Sequence, residues 1–179
     1  KWAKKHYPSK RTALILWNHG SGWMDPKKQG EDAEKGISFD DETGNYVRTK
    51  QLGAMLKEAG AVDVLAFDAC LMQMAEVLFE VKDYTRVIVG SEDIVPLTGF
   101  PYDQLMTRLT NSPYMSAEAL GRAMVDTFGA FYKNTGDHTQ LSAIHAEKLP
   151  QFAVKITKFA ERAAQIEDPA AFAAARNGV

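Results

Sequence analysis

A thiol and an imidazole held beside the same bond can break it by nucleophilic attack. This chain offers one cysteine, Cys70, and four histidines. Cys70 follows the apolar run Val62 to Phe67 and the pair Asp68-Ala69, and it precedes Met74, Val77, Leu78 and Val81. The run reads as a buried strand, and the spaced apolar residues read as one face of a helix over Cys70 to Val81. A helix opening at Cys70 would favour the thiolate through its dipole and its free N–H groups. His19 stands in Asn18-His19-Gly20-Ser21-Gly22, directly after a second apolar run, Thr12 to Trp17. Neighbouring strands lie about 5 Å apart, so a base ending one and a nucleophile ending the next flank a common point. Gly20 and Gly22 let the backbone come close to a ligand. The N–H groups of Gly20 and Cys70 are then candidates for an oxyanion hole.

Taken singly, neither residue points to catalysis. A lone cysteine is more often an inert buried group, and a histidine in a tight turn is more often simply hydrogen-bonded. The pairing at two strand ends is what indicates chemistry. His6 reads as solvated, His138 as a turn residue and His145 as packing at a strand end.

The elements that must position this pair alternate. Strands are expected over Thr12–Trp17, Val62–Phe67, Arg86–Val89 and Leu141–His145. Helices are expected over Thr49–Ala59, Cys70–Val81, from Ser116 to Phe131, over Leu149–Ile166 with Phe152, Ile156, Phe159 and Ala163 inward, and from Asp168-Pro169 onward. Met24 to Asn45 is polar and glycine-containing and reads as a long loop. Such alternation gives an α/β fold, a mostly parallel sheet with helices on both faces. Its ligands bind beyond the carboxyl ends of the strands. His19, Cys70 and the acidic pair Glu92-Asp93 all follow predicted strands.

The 179 residues suit a single domain, and the lack of an initiator Met and the bare final helix lead us to expect that the domain continues at one or both ends. A net charge of −2 argues against a general nucleic-acid surface, and no apolar run is long enough to insert in a membrane. One cysteine excludes an internal disulfide and multi-cysteine metal sites. The chain lacks a Gly-x-Ser-x-Gly elbow, a Walker A loop, His-Glu-x-x-His and the third glycine of a dinucleotide fingerprint. Asp40-Asp41-Glu42-Thr43-Gly44 has the wrong ligand spacing for a calcium loop and reads as a solvated acidic turn.

Leu14-Ile-Leu-Trp-Asn-His19-Gly-Ser-Gly-Trp23, followed by Leu65-Ala-Phe-Asp-Ala-Cys70-Leu-Met72, resembles the His and Cys motifs of the clostripain family, relatives of caspases, gingipains and legumains. Val89-Gly-Ser-Glu92, Gly99-Phe-Pro-Tyr102 and Leu141-Ser-Ala-Ile144 continue the resemblance over about residues 12 to 160. It implies a caspase-like fold and a bacterial, secreted or cell-surface cysteine endopeptidase acting on peptide or protein substrates. It implies that His19 and Cys70 are catalytic without an obligatory third residue, and that cleavage follows Arg or Lys. Acidic residues would set that preference: Asp68 matches the family's acidic position, and Glu92 and Asp93 are further pocket candidates. Asp68 could equally cap a helix starting at Cys70, and an acidic pair after a strand is often only solvated. No cofactor or metal site is required, although some family members use calcium. His145 departs from the family pattern, where an acidic residue is frequent. The alternative reading is a catalytically inactive caspase-like domain that binds a peptide or partner.

Family members are commonly made as precursors cut between the His and Cys segments, which falls here in the loop holding Lys27, Lys28 and Lys35. Lys35 is the expected self-cleavage site, since Gly36 follows and exposes the bond. Mass spectrometry after incubation should find fragments ending at Lys35 in wild type and none in Cys70→Ala. Wild type that stays whole yet cleaves an arginyl substrate at full rate would contradict activation by self-cleavage.

Overall fold

The computed structural model describes residues 1–23, 36–166 and 169–177. Lys27, Lys28 and Lys35 lie outside the described residues, but Gly36, expected to expose the bond after Lys35, is instead buried, with its N–H on the Ser21 hydroxyl and its carbonyl taking the Ser21 N–H. The chain divides into two compact units, Lys1–Glu147 and Lys148–Val179.

The first unit runs α1 (Trp2–His6), β1 (Ala13–Trp17), β2 (Gly36–Asp40), β3 (Asn45–Arg48), α2 (Thr49–Ala59), β4 (Val62–Asp68), α3 (Ala75–Val81), β5 (Thr85–Gly90), α4 (Tyr102–Asn111), α5 (Ala117–Tyr132) and β6 (Ser142–His145). The main sheet has the order β1-β4-β5-β6. β1, β4 and β5 are parallel, and β6 is antiparallel to β5. This is the expected mostly parallel sheet.

Successive residues of a strand face opposite ways. Val64, Ala66, Val87 and Val89 therefore share one face, and they pack with Met124, Phe128 and Tyr132 of α5 and with Leu105 of α4. Leu65, Phe67 and Ile88 face the other way and are also fully buried. The remaining described helices of this unit with buried apolar stripes are α2, through Leu52 and Leu56, and α3, through Val77, Leu78 and Val81. Both faces are thus covered, and near-continuous apolar runs are what such strands require.

Three local expectations are corrected. The polar segment before Asn45 is not all loop, because Gly36–Asp40 forms β2 and pairs antiparallel with β3. Asp40 closes that hairpin by accepting from the N–H groups of Glu42 and Thr43 and from the Thr43 hydroxyl. The Thr43 hydroxyl, then the Glu42 N–H, hold the Asp40 carboxyl below its usual range. The helix expected from Cys70 begins only at Ala75. Residues 70–73 form a turn because longer-range bonds win: Leu71 N–H donates to the Asp93 carbonyl and Gln73 N–H to that of Ser91. Finally, α4 was missed although Leu105 and Leu109 stand four apart on one helical face; Leu105 is its fully buried residue.

The second unit holds α6 (Leu149–Ala163) and α7 (Pro169–Asn177). Phe159 and Phe172 approach with ring centroids 6.5 Å apart. Phe152, Ile156 and Phe159, expected inward, are exposed, since within this unit α7 is too short to cover the α6 stripe.

α5 has one buried glycine pressed against the sheet, Gly121, and one exposed glycine, Gly129. A methyl group on Gly121 would lie 2.8 Å from Val87 Cγ1, whereas one on Gly129 would meet nothing within 4 Å. Gly121→Ala should destabilise by about 1–3 kcal/mol through overpacking, more than the ~1 kcal/mol that alanine gains over glycine in a helix. Gly129→Ala, free of that clash, should stabilise. Urea denaturation of the two variants checks this, and equal stabilities would refute the packing described.

Candidate active site

In the register of β1 on β4, Trp17 pairs with Asp68, the last residue of each strand. His19 and Cys70 each stand two positions beyond that pair, so they leave the sheet side by side at its carboxyl edge. The two segments then touch. A methyl group on Gly20 would lie 2.4 Å from the Cys70 carbonyl oxygen, and one on Gly22 would lie 2.3 Å from that of Leu71. Only glycine permits such an approach, and Gly22 also has a positive φ of 55°. The reason for both glycines is thus the backbone of the cysteine turn.

The histidine segment is held from its other side by β2. Ser38 N–H donates to the His19 carbonyl, and Ser21 N–H to that of Gly36. Gly20 and Ile37 face each other across this isolated antiparallel bridge. Thr49, at the start of α2, donates its buried hydroxyl to the Gly22 carbonyl at 2.8 Å. Apart from Thr49, these supports come from residues that sequence reasoning left in a loop, and short mixed runs such as Gly-Ile-Ser-Phe-Asp give almost no signal.

His19 is exposed and Cys70 is half-buried. The Val95 N–H donates to Cys70 Sγ at 3.3 Å. The thiol in turn faces the Val95 carbonyl at 3.8 Å. Among the described residues no hydrogen bond joins the imidazole to the sulfur, an arrangement common where a substrate is to enter between base and nucleophile. Neither the Gly20 nor the Cys70 amide is committed to an acceptor among the described residues. Because α3 starts at Ala75, its N-terminus does not supply the positive end that was expected beside the thiol.

His19, Cys70 and Asp68 line one cleft of about 250 Å³, closed on the far side by Val95, Leu97 and Gly99. Asp68 is 3% exposed. It does not cap a helix. Its Oδ2 accepts from the Phe100 N–H at 3.1 Å and the Tyr102 hydroxyl at 2.8 Å. Its Oδ1 is buried and has no partner among the described residues, a state that costs about 1–3 kcal/mol or more for an ionised group. Burial, then the bond to Asp68, push the Tyr102 hydroxyl well above the ordinary phenol range, so it remains a donor. Gly99, at φ 65°, presses its backbone on the carboxylate: a methyl group there would lie 2.7 Å from Oδ2 and 2.9 Å from Oδ1.

Glu92 and Asp93 are not among the cleft residues. Glu92 N–H donates to Gln140 Oε1, and Asp93 contributes its carbonyl to the cysteine turn. The structure thus gathers His19, Gly20, Asp68 and Cys70 and leaves the acidic pair beside them. Gln73, which sequence reasoning passed over, is buried and donates through Nε2 to Ser142 and the Ile88 carbonyl. It ties the cysteine turn to β5 and β6. Among the described residues, no group of three or more His, Cys, Asp or Glu is arranged to hold a metal ion, and no helix is long and apolar enough to cross a membrane.

The sequence profile of the clostripain family matches residues 1–175. Clostripain of Hathewaya histolytica is 29% identical over 119 residues, which cover 60% of this chain and 22% of that protein. An inactive zymogen C11 protease from Parabacteroides distasonis superposes with a TM-score of 0.64 at 23% identity, over 86% of this chain and 39% of that one. A secreted C11 cysteine protease from Bacteroides thetaiotaomicron, in complex with an irreversible peptide inhibitor, gives 0.67 at 22% identity, over 85% and 44%. The chain spans less than half the length of each of these proteins. The two superpositions establish the shared fold.

The approach of Gly20 to Cys70 yields a test. Gly20→Ala must part the two segments, and a displacement near 1 Å at a reacting centre costs about a hundredfold. Alkylation of Cys70 by a peptidyl electrophile should slow by about that factor, with iodoacetamide alkylation little changed. Peptidyl labelling at the wild-type rate would show that this contact does not set the geometry.

Proposed function

The chain belongs to the clostripain family, and we propose that it carries the catalytic site of a cysteine endopeptidase that cuts after Arg or Lys. The observation that carries this reading is the level pairing of Trp17 with Asp68, which sets His19 and Cys70 side by side over a cleft with a buried acid.

In this reading the Cys70 sulfur attacks the scissile carbonyl carbon, and His19 accepts the thiol proton. The tetrahedral oxygen sits between the amides of Gly20 and Cys70, both without another acceptor among the described residues. Collapse expels the amine, protonated by His19, and leaves the acyl group on sulfur. Water, deprotonated by His19, then attacks the thioester and releases the acid and the thiol. The basic side chain before the cut is drawn to Asp68, since a buried carboxylate with one oxygen lacking a donor among the described residues gains most from a cation. Glu92 and Asp93, outside the cleft lining, would act on the substrate at longer range.

The relatives' descriptions support two further parts of this reading. One is called secreted and another an inactive zymogen, which fits an exported precursor whose site is released by cutting. The partners are peptide or protein substrates.

Hydrolysis of arginyl and lysyl peptides tests the assignment. Cys70→Ala should abolish it and His19→Ala lower kcat by about 10²–10⁴-fold, with circular dichroism unchanged. Asp68→Asn should lower the preference for basic over neutral residues. Turnover retained in Cys70→Ala would overturn the peptidase reading. A wild-type protein that binds peptide but is never labelled at Cys70 would favour an inactive binding domain instead.

A further inference from the structure

The two oxygens of Asp68 are not equivalent. A carboxylate oxygen accepts about two hydrogen bonds, and Oδ2 already takes two, from the Phe100 N–H and the Tyr102 hydroxyl. Oδ1 takes none among the described residues. Gly99 packs closely on both oxygens, since a methyl group there would lie 2.7 Å from Oδ2 and 2.9 Å from Oδ1. A substrate cation entering the cleft therefore meets one available oxygen, not a pair.

That asymmetry separates the two basic side chains. Arginine gains its advantage from two parallel N–H···O bonds to two oxygens. Lysine presents a compact point charge that one oxygen can satisfy. Access points the same way. Oδ1 is shielded from bulk water, so the wall must yield before a cation reaches it. The cleft wall there is the turn closed by the Gly99 N–H on the Pro96 carbonyl, with Leu97 97% exposed. A smaller opening admits an ammonium than a guanidinium.

We propose that Tyr102 is a specificity-determining positioning residue: by filling Oδ2 of Asp68 it leaves the pocket a single acceptor and favours lysine over arginine before the cut. This rests on Asp68 being the pocket acid, as proposed above. Tyr102 touches no substrate in this role and acts through the carboxylate. Tyr102 is partly exposed at the start of α4, its ring centroid 6.2 Å from that of Phe100, so Tyr102→Phe removes the bond and keeps the ring contact.

The experiment compares kcat/KM for two peptides that differ only in Lys or Arg before the cut, in wild type, Tyr102→Phe and Asp68→Asn. Wild type should favour lysine, and Tyr102→Phe should lower the Lys-to-Arg ratio by roughly tenfold, the worth of one hydrogen bond to a charged group. A purely structural role for Tyr102 would lower both substrates together and leave the ratio unchanged, which overturns the proposal. A wild-type preference for arginine overturns it as well, whatever the variant does. Asp68→Asn distinguishes the underlying reading: if the preference for basic residues survives it, Asp68 is not the pocket acid. If the preference is lost there but the ratio is unmoved in Tyr102→Phe, Asp68 stands and the part given to Tyr102 fails.

Discussion

Trp17 and Asp68 close the parallel ladder between β1 and β4, and everything at the carboxyl edge depends on that register. Side chains alternate along a strand, so a slip by one residue would turn Leu14 and Ile15 to the wrong faces and shift His19 relative to Cys70. The burial of Leu65 on one face and of Val64 and Ala66 on the other fixes β4 between two helical layers. The position of the imidazole relative to the thiol thus follows from core packing well below the site. Past the sheet, the glycines take over: with no side chain at Gly20 or Gly22, the histidine segment lies directly on the carbonyls of Cys70 and Leu71.

Asp68 connects the same strand end to the opposite wall of the cleft. Its carboxylate gathers the Phe100 amide and the Tyr102 hydroxyl, while the buried Tyr132 hydroxyl donates to the Gly99 carbonyl from α5. The wall is therefore anchored to β4 and to the helix that covers the sheet. One buried acid orders the wall and keeps an oxygen without a donor among the described residues, so the structural role shown here leaves room for the binding role proposed above.

Much of this was legible in the sequence, for physical reasons that differ by element. β4 and β5 announce themselves because strands buried on both faces must be apolar throughout, and the half-exposed edge strand β1 is an equally unbroken apolar run. The His and Cys segments stand out because each follows such a run. β2 gave no signal, since Gly36–Asp40 is held by backbone bonds to β3 and to His19 and Ser21 and needs no apolar alternation. The start of the helix after Cys70 was misplaced because Leu71, Met72 and Gln73 have good helix propensity. Carbonyls of Ser91 and Asp93, some twenty residues on, claim their amides instead. Asp68 was singled out in the sequence and lines the cleft, but its donors, Phe100 and Tyr102, come from a segment that no local pattern connects to β4.

Among the described residues, the non-glycine positions with positive φ are Asn18, at 123°, Ser38, at 59°, and Leu71, at 64°. Each flanks the point where β1, β2 and the cysteine turn meet: Asn18 precedes His19, Ser38 bonds the His19 carbonyl, and Leu71 follows Cys70. Such conformations cost of order 1–3 kcal/mol for each residue and persist only where the surroundings over-determine them. Asn18 recovers part of that cost by accepting the His19 N–H with its own side chain. Leu71 has no such local aid, and its amide is instead fixed by the Asp93 carbonyl. A fold under no demand at this edge would place glycine at Leu71, where it would relieve the strain. Leucine there, held in a left-handed conformation between two supporting segments, is consistent with a turn whose shape is set by what Cys70 must face.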